Sequence, residues 1–121
     1  MFYRIPRNVS RLYKKIGLFP LLYTGIKWVL TPFEIMEEHI PEKGKILDLG
    51  CGNGMFSNYL AIKCQDREIT GLDFSTKRMR IARKTIQGRK NIAFRLGHVE
   101  SIKLSQRNCI IFSDFLHYLS Y

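Results

Sequence analysis

Asp48 is followed by three glycines at alternate positions, Gly50, Gly52 and Gly54, within the string ILDLGCGNG at residues 46–54. The apolar pair Ile46-Leu47 leads into it, and Met55-Phe56-Ser57-Asn58-Tyr59-Leu60-Ala61 follows as the start of a helix expected over Met55–Lys63. The pattern reads as strand, glycine turn, helix. Glycines allow positive φ and let a ligand approach bare backbone. The helix start adds unpaired N–H groups and a partial positive charge. The carboxylate ahead of the turn narrows the choice of ligand. It would repel a pyrophosphate, whereas a cationic amine would donate hydrogen bonds to it. The spacing also departs from the dinucleotide fingerprint G-x-G-x-x-G, because the third glycine comes one residue early. A nicotinamide enzyme is therefore only the runner-up.

At these residues the chain resembles the class I S-adenosylmethionine-dependent methyltransferases. Their first motif is an acidic residue followed by G-x-G-x-G, and Asp48, Gly50, Cys51, Gly52 and Gly54 match it without a gap. The family often has a cysteine inside the loop, and the resemblance gives Cys51 no catalytic role. It implies that an acidic residue closing the second strand grips both ribose hydroxyls. Here that residue is Asp73, after Glu68–Leu72 and about twenty residues beyond the loop, which suits one βαβ unit. A carboxylate has two acceptor oxygens and a vicinal diol two donors. Asp73 could equally cap the next helix, a role for which Ser75 is also placed. Phe74 is positioned to pack on adenine.

The third strand, Ile92–Leu96, runs into Gly97-His98-Val99-Glu100. The family commonly has an aspartate after that glycine, bonding the adenine amino group. This chain has His98, whose neutral imidazole accepts through one nitrogen. Val99 adjoins it, and Glu100 or backbone are the alternatives. After the fourth strand, Cys109–Phe112, Ser113-Asp114 resembles the family's fourth motif, which places Asp114 near the methionine part of the cofactor. His117 and Tyr118 follow, with substrate contact and a structural role both open. No residue is assigned as catalytic and no metal site is expected. Methyl transfer from a sulfonium requires mainly alignment, with a base only for poor nucleophiles.

The elements that must position these groups follow from the rest of the chain. With 121 residues, 45% hydrophobic and 25% charged, it suits one domain with a modest core. The resemblance implies an α/β fold, a Rossmann-like three-layer sandwich on a parallel sheet of about four strands in the order 3-2-1-4, with helices on both faces. That sheet is truncated relative to the seven-stranded methyltransferase fold. Residues 1–121 then form a single, incomplete domain: a basic aromatic helical extension at 1–30 and the cofactor-binding core at 31–121. The strand CIIF would leave an apolar edge, which invites a second chain. A longer parent chain and a reduced fold are the other readings.

In the extension, one short helix is expected before Gly17 and another from about Phe19 to Val29, broken apart at Gly17 and Pro20. It could cap the substrate side of the site, simply pack on the sheet, or lie on an anionic membrane surface. Thr31-Pro32 reads as a helix start, with Glu34 completing a capping box and Pro41 ending the helix. Ser75–Gln87 reads as an amphipathic helix stopped by Gly88.

The formal net charge is +10. No acid precedes Glu34, and eight Lys or Arg lie between Asp73 and Glu100. Such a surface suits anionic partners, RNA or lipid, or is merely solvated. The odd count of three cysteines, without metal-ligand spacing, reads as reduced thiols of a cytoplasmic protein, peripheral to a membrane at most. No segment is long enough and unbroken enough to span a bilayer. The expected activity is transfer of a methyl group from S-adenosyl-L-methionine to a small-molecule or lipid-like acceptor. The alternatives are a partner-dependent or non-catalytic binding module and an RNA methyltransferase.

Overall fold

The computed structural model describes residues 5–98 and 106–112. In chain order the elements are α1 (Arg7–Lys14), α2 (Leu18–Leu30), α3 (Phe33–Glu38), β1 (Gly44–Leu49), α4 (Met55–Lys63), β2 (Arg67–Asp73), α5 (Thr76–Lys84), β3 (Ile92–Leu96) and β4 (Cys109–Ile111). The strands form one parallel sheet in the order β3-β2-β1-β4, as the family resemblance implies. Register is set by Asp48 opposite Gly71 on one side and Ile111 on the other, with Gly71 opposite Phe94. The order reverses at β1, so the crevice beyond the strand C-termini opens beside the loop that follows it.

Side chains alternate across the sheet. Ile46, Ile69, Ile92 and Phe94 join buried residues of α1 to α5 in one cluster, while Leu47, Leu49 and Leu72 form a second. The opposite placement of the two sets is the period-2 pattern of a strand buried on both faces. An aromatic group ties the extension to the core: Trp28 of α2 lies 5.3 Å from Phe33 of α3 and 4.9 Å from Tyr59 of α4, ring centre to ring centre. Such pairs add to area burial. A polar bridge does the same work at the loop. Tyr13 of α1 donates its hydroxyl to the Asn53 carbonyl (2.7 Å) and accepts from the Asn58 amide (3.1 Å). Burial pushes the Tyr13 phenol well above its ordinary value, so it stays a donor.

Two local expectations are corrected. The capping box at Thr31 does not form. α2 runs on to Leu30, Thr31 becomes its C-cap, and the Thr31 carbonyl accepts from Phe33 N–H at 2.8 Å. Pro32, at φ −78° and ψ 62°, is the centre of an inverse γ-turn rather than the first helical residue. α3 then stops at Glu38, short of Ile40. α5 likewise ends at Lys84, three residues before the expected Gln87. Thr85 is buried; its hydroxyl bonds the Ala82 carbonyl and accepts from Asn58 (2.8 Å), drawing the chain in toward α4.

Arg67, fully buried at the start of β2, holds the lower end of the sheet together. Its guanidinium donates to the Pro41, Leu60 and Ile40 carbonyls and to Glu37 Oε1 at 2.8 Å. Lys63 Nζ meets the other Glu37 oxygen at 2.9 Å. Burial alone would raise the Glu37 carboxyl; the hydrogen bonds from Arg67 and Lys63 outweigh it and hold the group below its ordinary 4.5. A carboxyl depressed by folding adds stability that is full above its unfolded value and lost as pH falls through the folded one. Glu37→Gln is therefore expected to destabilise most at pH 7 and progressively less below pH 4.5, read from urea midpoints. An equal penalty at pH 7 and at acid pH would rule out this linkage.

Candidate functional site

The turn between β1 and α4 requires its glycines. Gly50, Gly52 and Gly54 sit at φ 68°, 59° and 85°, the left-handed region that strains any residue with a Cβ. Their alternation makes the chain double back under itself so that Gly54 becomes the N-cap of α4. Four of the loop's amides, those of Gly50, Cys51, Gly52 and Gly54, are engaged within the protein. Gly50 and Cys51 N–H both donate to the Leu72 carbonyl, at 2.7 and 3.1 Å, and Gly54 N–H to the Cys51 carbonyl at 3.0 Å. Gly52 N–H donates to Asp73 Oδ2 at 3.0 Å. The Gly50, Cys51 and Gly52 amides are thereby committed to β2 rather than to a ligand.

Two carboxylates stand at the strand ends beneath it. Asp48 is fully buried and accepts from Ser57 Oγ of α4 at 2.6 Å. Asp73 is 2% exposed. Besides Gly52 it accepts from Ser75 N–H at 2.9 Å, and Arg78 lies 3.9 Å from it. Ser75 is the N-cap of α5, its hydroxyl accepting from Arg78 N–H. Asp73 thus supports the cap rather than forming it. Cys51 is buried; burial, then the nearby Asp48 and Asp73, push its thiol well up, so it is a protonated packing group and a poor nucleophile.

Beyond Asp73 the surface opens. Phe74 is half exposed and its ring lies parallel to that of His98, centres 6.0 Å apart and planes 7° apart. Val99, Glu100 and Asp114, and with them His117 and Tyr118, lie outside the described residues.

The extension forms the other wall, as one reading of the sequence allowed, though none of its residues was singled out there. α2 crosses the loop, and Tyr23, Thr24 and Lys27 meet Cys51, Asn53 and Met55 around a cavity of about 20 Å³. Thr24 is 1% exposed, and its hydroxyl has no hydrogen-bond partner among the described residues. Burial lowers the Lys27 ammonium, and so does Arg78, while Asp48 and Asp73 pull the other way. The one signal was that Lys27 is the sole charge in the apolar run 16–30. Among the described residues no group of three His, Cys, Asp or Glu is placed to hold a metal.

The model of a family described as a methyltransferase domain matches residues 46–121. YqeM of Bacillus subtilis strain 168, provisionally named a methyltransferase, is 38% identical over 68 residues, covering 56% of this chain and 24% of that protein. A carboxy-S-adenosyl-L-methionine synthase of Campylobacter hominis is 32% identical over 87 residues, covering 71% of this chain and 37% of the other. The crystal structure of WbdD superposes with a TM-score of 0.59 at 25% identity, over 72% of this chain and 22% of that one. The chain thus spans between about a quarter and two fifths of the curated relatives named here.

Proposed function

Because the chain belongs to the methyltransferase domain family, we propose that it is the cofactor-binding part of an S-adenosylmethionine-dependent methyltransferase acting on a small-molecule or lipid-like acceptor. One observation carries the reading: a glycine turn tied to β2 through the Gly50, Cys51 and Gly52 amides and set beside two buried carboxylates. That site disfavours a pyrophosphate and favours a ligand that is positive at one end and carries a diol. When bound, S-adenosylmethionine supplies a methyl group on a positively charged sulfur.

The residues divide the work by chemistry. Asp73 has spent one lone pair of each oxygen on Gly52 and Ser75, and the remaining pairs suit two ribose hydroxyls. Phe74 offers an exposed face to adenine, with His98 parallel to it. Asp48, in its low-dielectric position, supplies a negative field for the cationic end. Thr24 and Lys27 supply a hydroxyl and an ammonium for the amino-acid carboxylate, with α2 yielding space beyond the present cavity. Gly50, Gly52 and Gly54 keep the turn thin, and Cys51 packs beneath it. Val99 and Asp114 complete the set on the resemblance alone. In this reading residues 1–30 and 31–121 act as one domain, the extension forming a wall of the site. The chain's contribution to rate is alignment of acceptor and methyl group.

Titration calorimetry tests the proposal. The purified chain is expected to bind S-adenosylmethionine and its demethylated product, and not NAD. Asp73→Ala should weaken that binding by about 1–3 kcal/mol, roughly 5- to 150-fold, as charge-assisted bonds are lost. Undiminished affinity in a folded variant would remove Asp73 from the site.

A further inference from the structure

The outward face of α2 is an unusual surface for a protein in water. Leu18, Phe19, Leu22, Ile26, Val29 and Leu30 are each 53% to 78% exposed. At 100° per residue they fall within an arc of roughly 120°, opposite the buried Thr24 and Trp28. One continuous apolar stripe of this kind marks an interaction surface. Its surroundings narrow the occupant. α1 packs against α2 and carries Arg7, Arg11 and Lys14 at i, i+4 and i+7, all exposed, with exposed Lys15 just before the stripe begins. No Asp or Glu occurs before Glu34.

We propose that α1 and α2 together dock the protein on an anionic lipid surface, the α2 stripe entering the headgroup–acyl boundary and the α1 cations meeting lipid phosphates. A bilayer of this kind offers both of the required chemistries at once, an apolar layer beneath a negative one. A second copy of the chain offers the apolar face only, and would bring two clusters of like charge together. With 13 residues, α2 lies on the surface and does not cross it; among the described residues no helix is long and apolar enough to span. This docking does not depend on the cofactor reading.

The test uses the whole chain with vesicles of phosphatidylcholine alone or mixed equally with phosphatidylglycerol, scored by flotation, with light scattering in parallel. Binding is expected on the mixed vesicles only and to weaken with salt. Leu22→Ser with Ile26→Ser, both at exposed positions, should reduce partitioning about tenfold or more while the circular dichroism melt is unchanged. Arg11→Gln and Lys14→Gln should each reduce it roughly fivefold. Three results would overturn the proposal: no flotation of the folded chain, flotation indifferent to the double serine variant (the basic face of α5 then being responsible, as it would be for RNA), or a dimer in solution that the same variant dissolves.

Discussion

Arg67→Met is expected to lower unfolding stability by about 3–5 kcal/mol, the range for breaking a buried charged pair by deleting one partner. The size follows from what is left behind. Methionine fills much of the volume but donates nothing, so the carbonyls of Ile40 and Pro41 lose their donor inside the protein and that of Leu60 keeps only the Cys64 N–H. Glu37 keeps only Lys63, whose side chain is half exposed. Because a domain's whole margin is about 5–15 kcal/mol, this variant should be largely unfolded at modest urea. The damage should reach the site through the elements Arg67 joins, α3 and α4, the second of which begins at the glycine turn. Equilibrium urea unfolding followed by circular dichroism gives the number. A loss under 1 kcal/mol would mean that water replaces the guanidinium at little cost.

Gly54→Ala should be nearly as severe, at roughly 2–5 kcal/mol, from two independent causes. The residue sits at φ 85°, where a Cβ costs about 1–2 kcal/mol. That Cβ would also collide with Phe94 Cζ, an overpacking that adds about 1–3 kcal/mol. The causes can be separated. Phe94→Leu in the Gly54→Ala background should recover the packing part and leave the backbone part. Urea midpoints of the two single variants and the double variant form the cycle. Full recovery in the double variant would show that the left-handed conformation carries no penalty here; no recovery would show that Phe94 is not the obstruction.

What was readable in the chain was whatever short-range pattern decides. The bounds Met55–Lys63 and Ile92–Leu96 appear in the structure as the sequence predicts, because a glycine turn, an apolar run and a breaker lie within a few residues of one another. The strand order came from resemblance and stands. The failures share a physical cause, competition from distant segments. Thr31 had a good capping sequence, yet the preceding helix claimed it. Gly88 was available as a stop, yet Thr85 turned first toward Asn58, 27 residues away. Arg67 stands just ahead of the expected strand Glu68–Leu72, and nothing in its local sequence singled it out. Its four partners come from Glu37, Ile40, Pro41 and Leu60, so its burial is a tertiary fact. The same holds for Thr24 and Lys27, whose relation to the loop appears only when α2 folds across it.

The stitching of the glycine turn to β2 has a consequence for the energetics of recognition. Each residue held in a single backbone conformation loses roughly 1–2 kcal/mol of chain entropy. Here the sheet imposes that loss, through the Leu72 carbonyl and the Asp73 carboxylate, before any ligand arrives. The turn's ordering is thus charged to folding, and an incoming molecule meets a surface already in its final shape. Whatever binds there can be small and still bind well, because it need not organise the backbone that receives it.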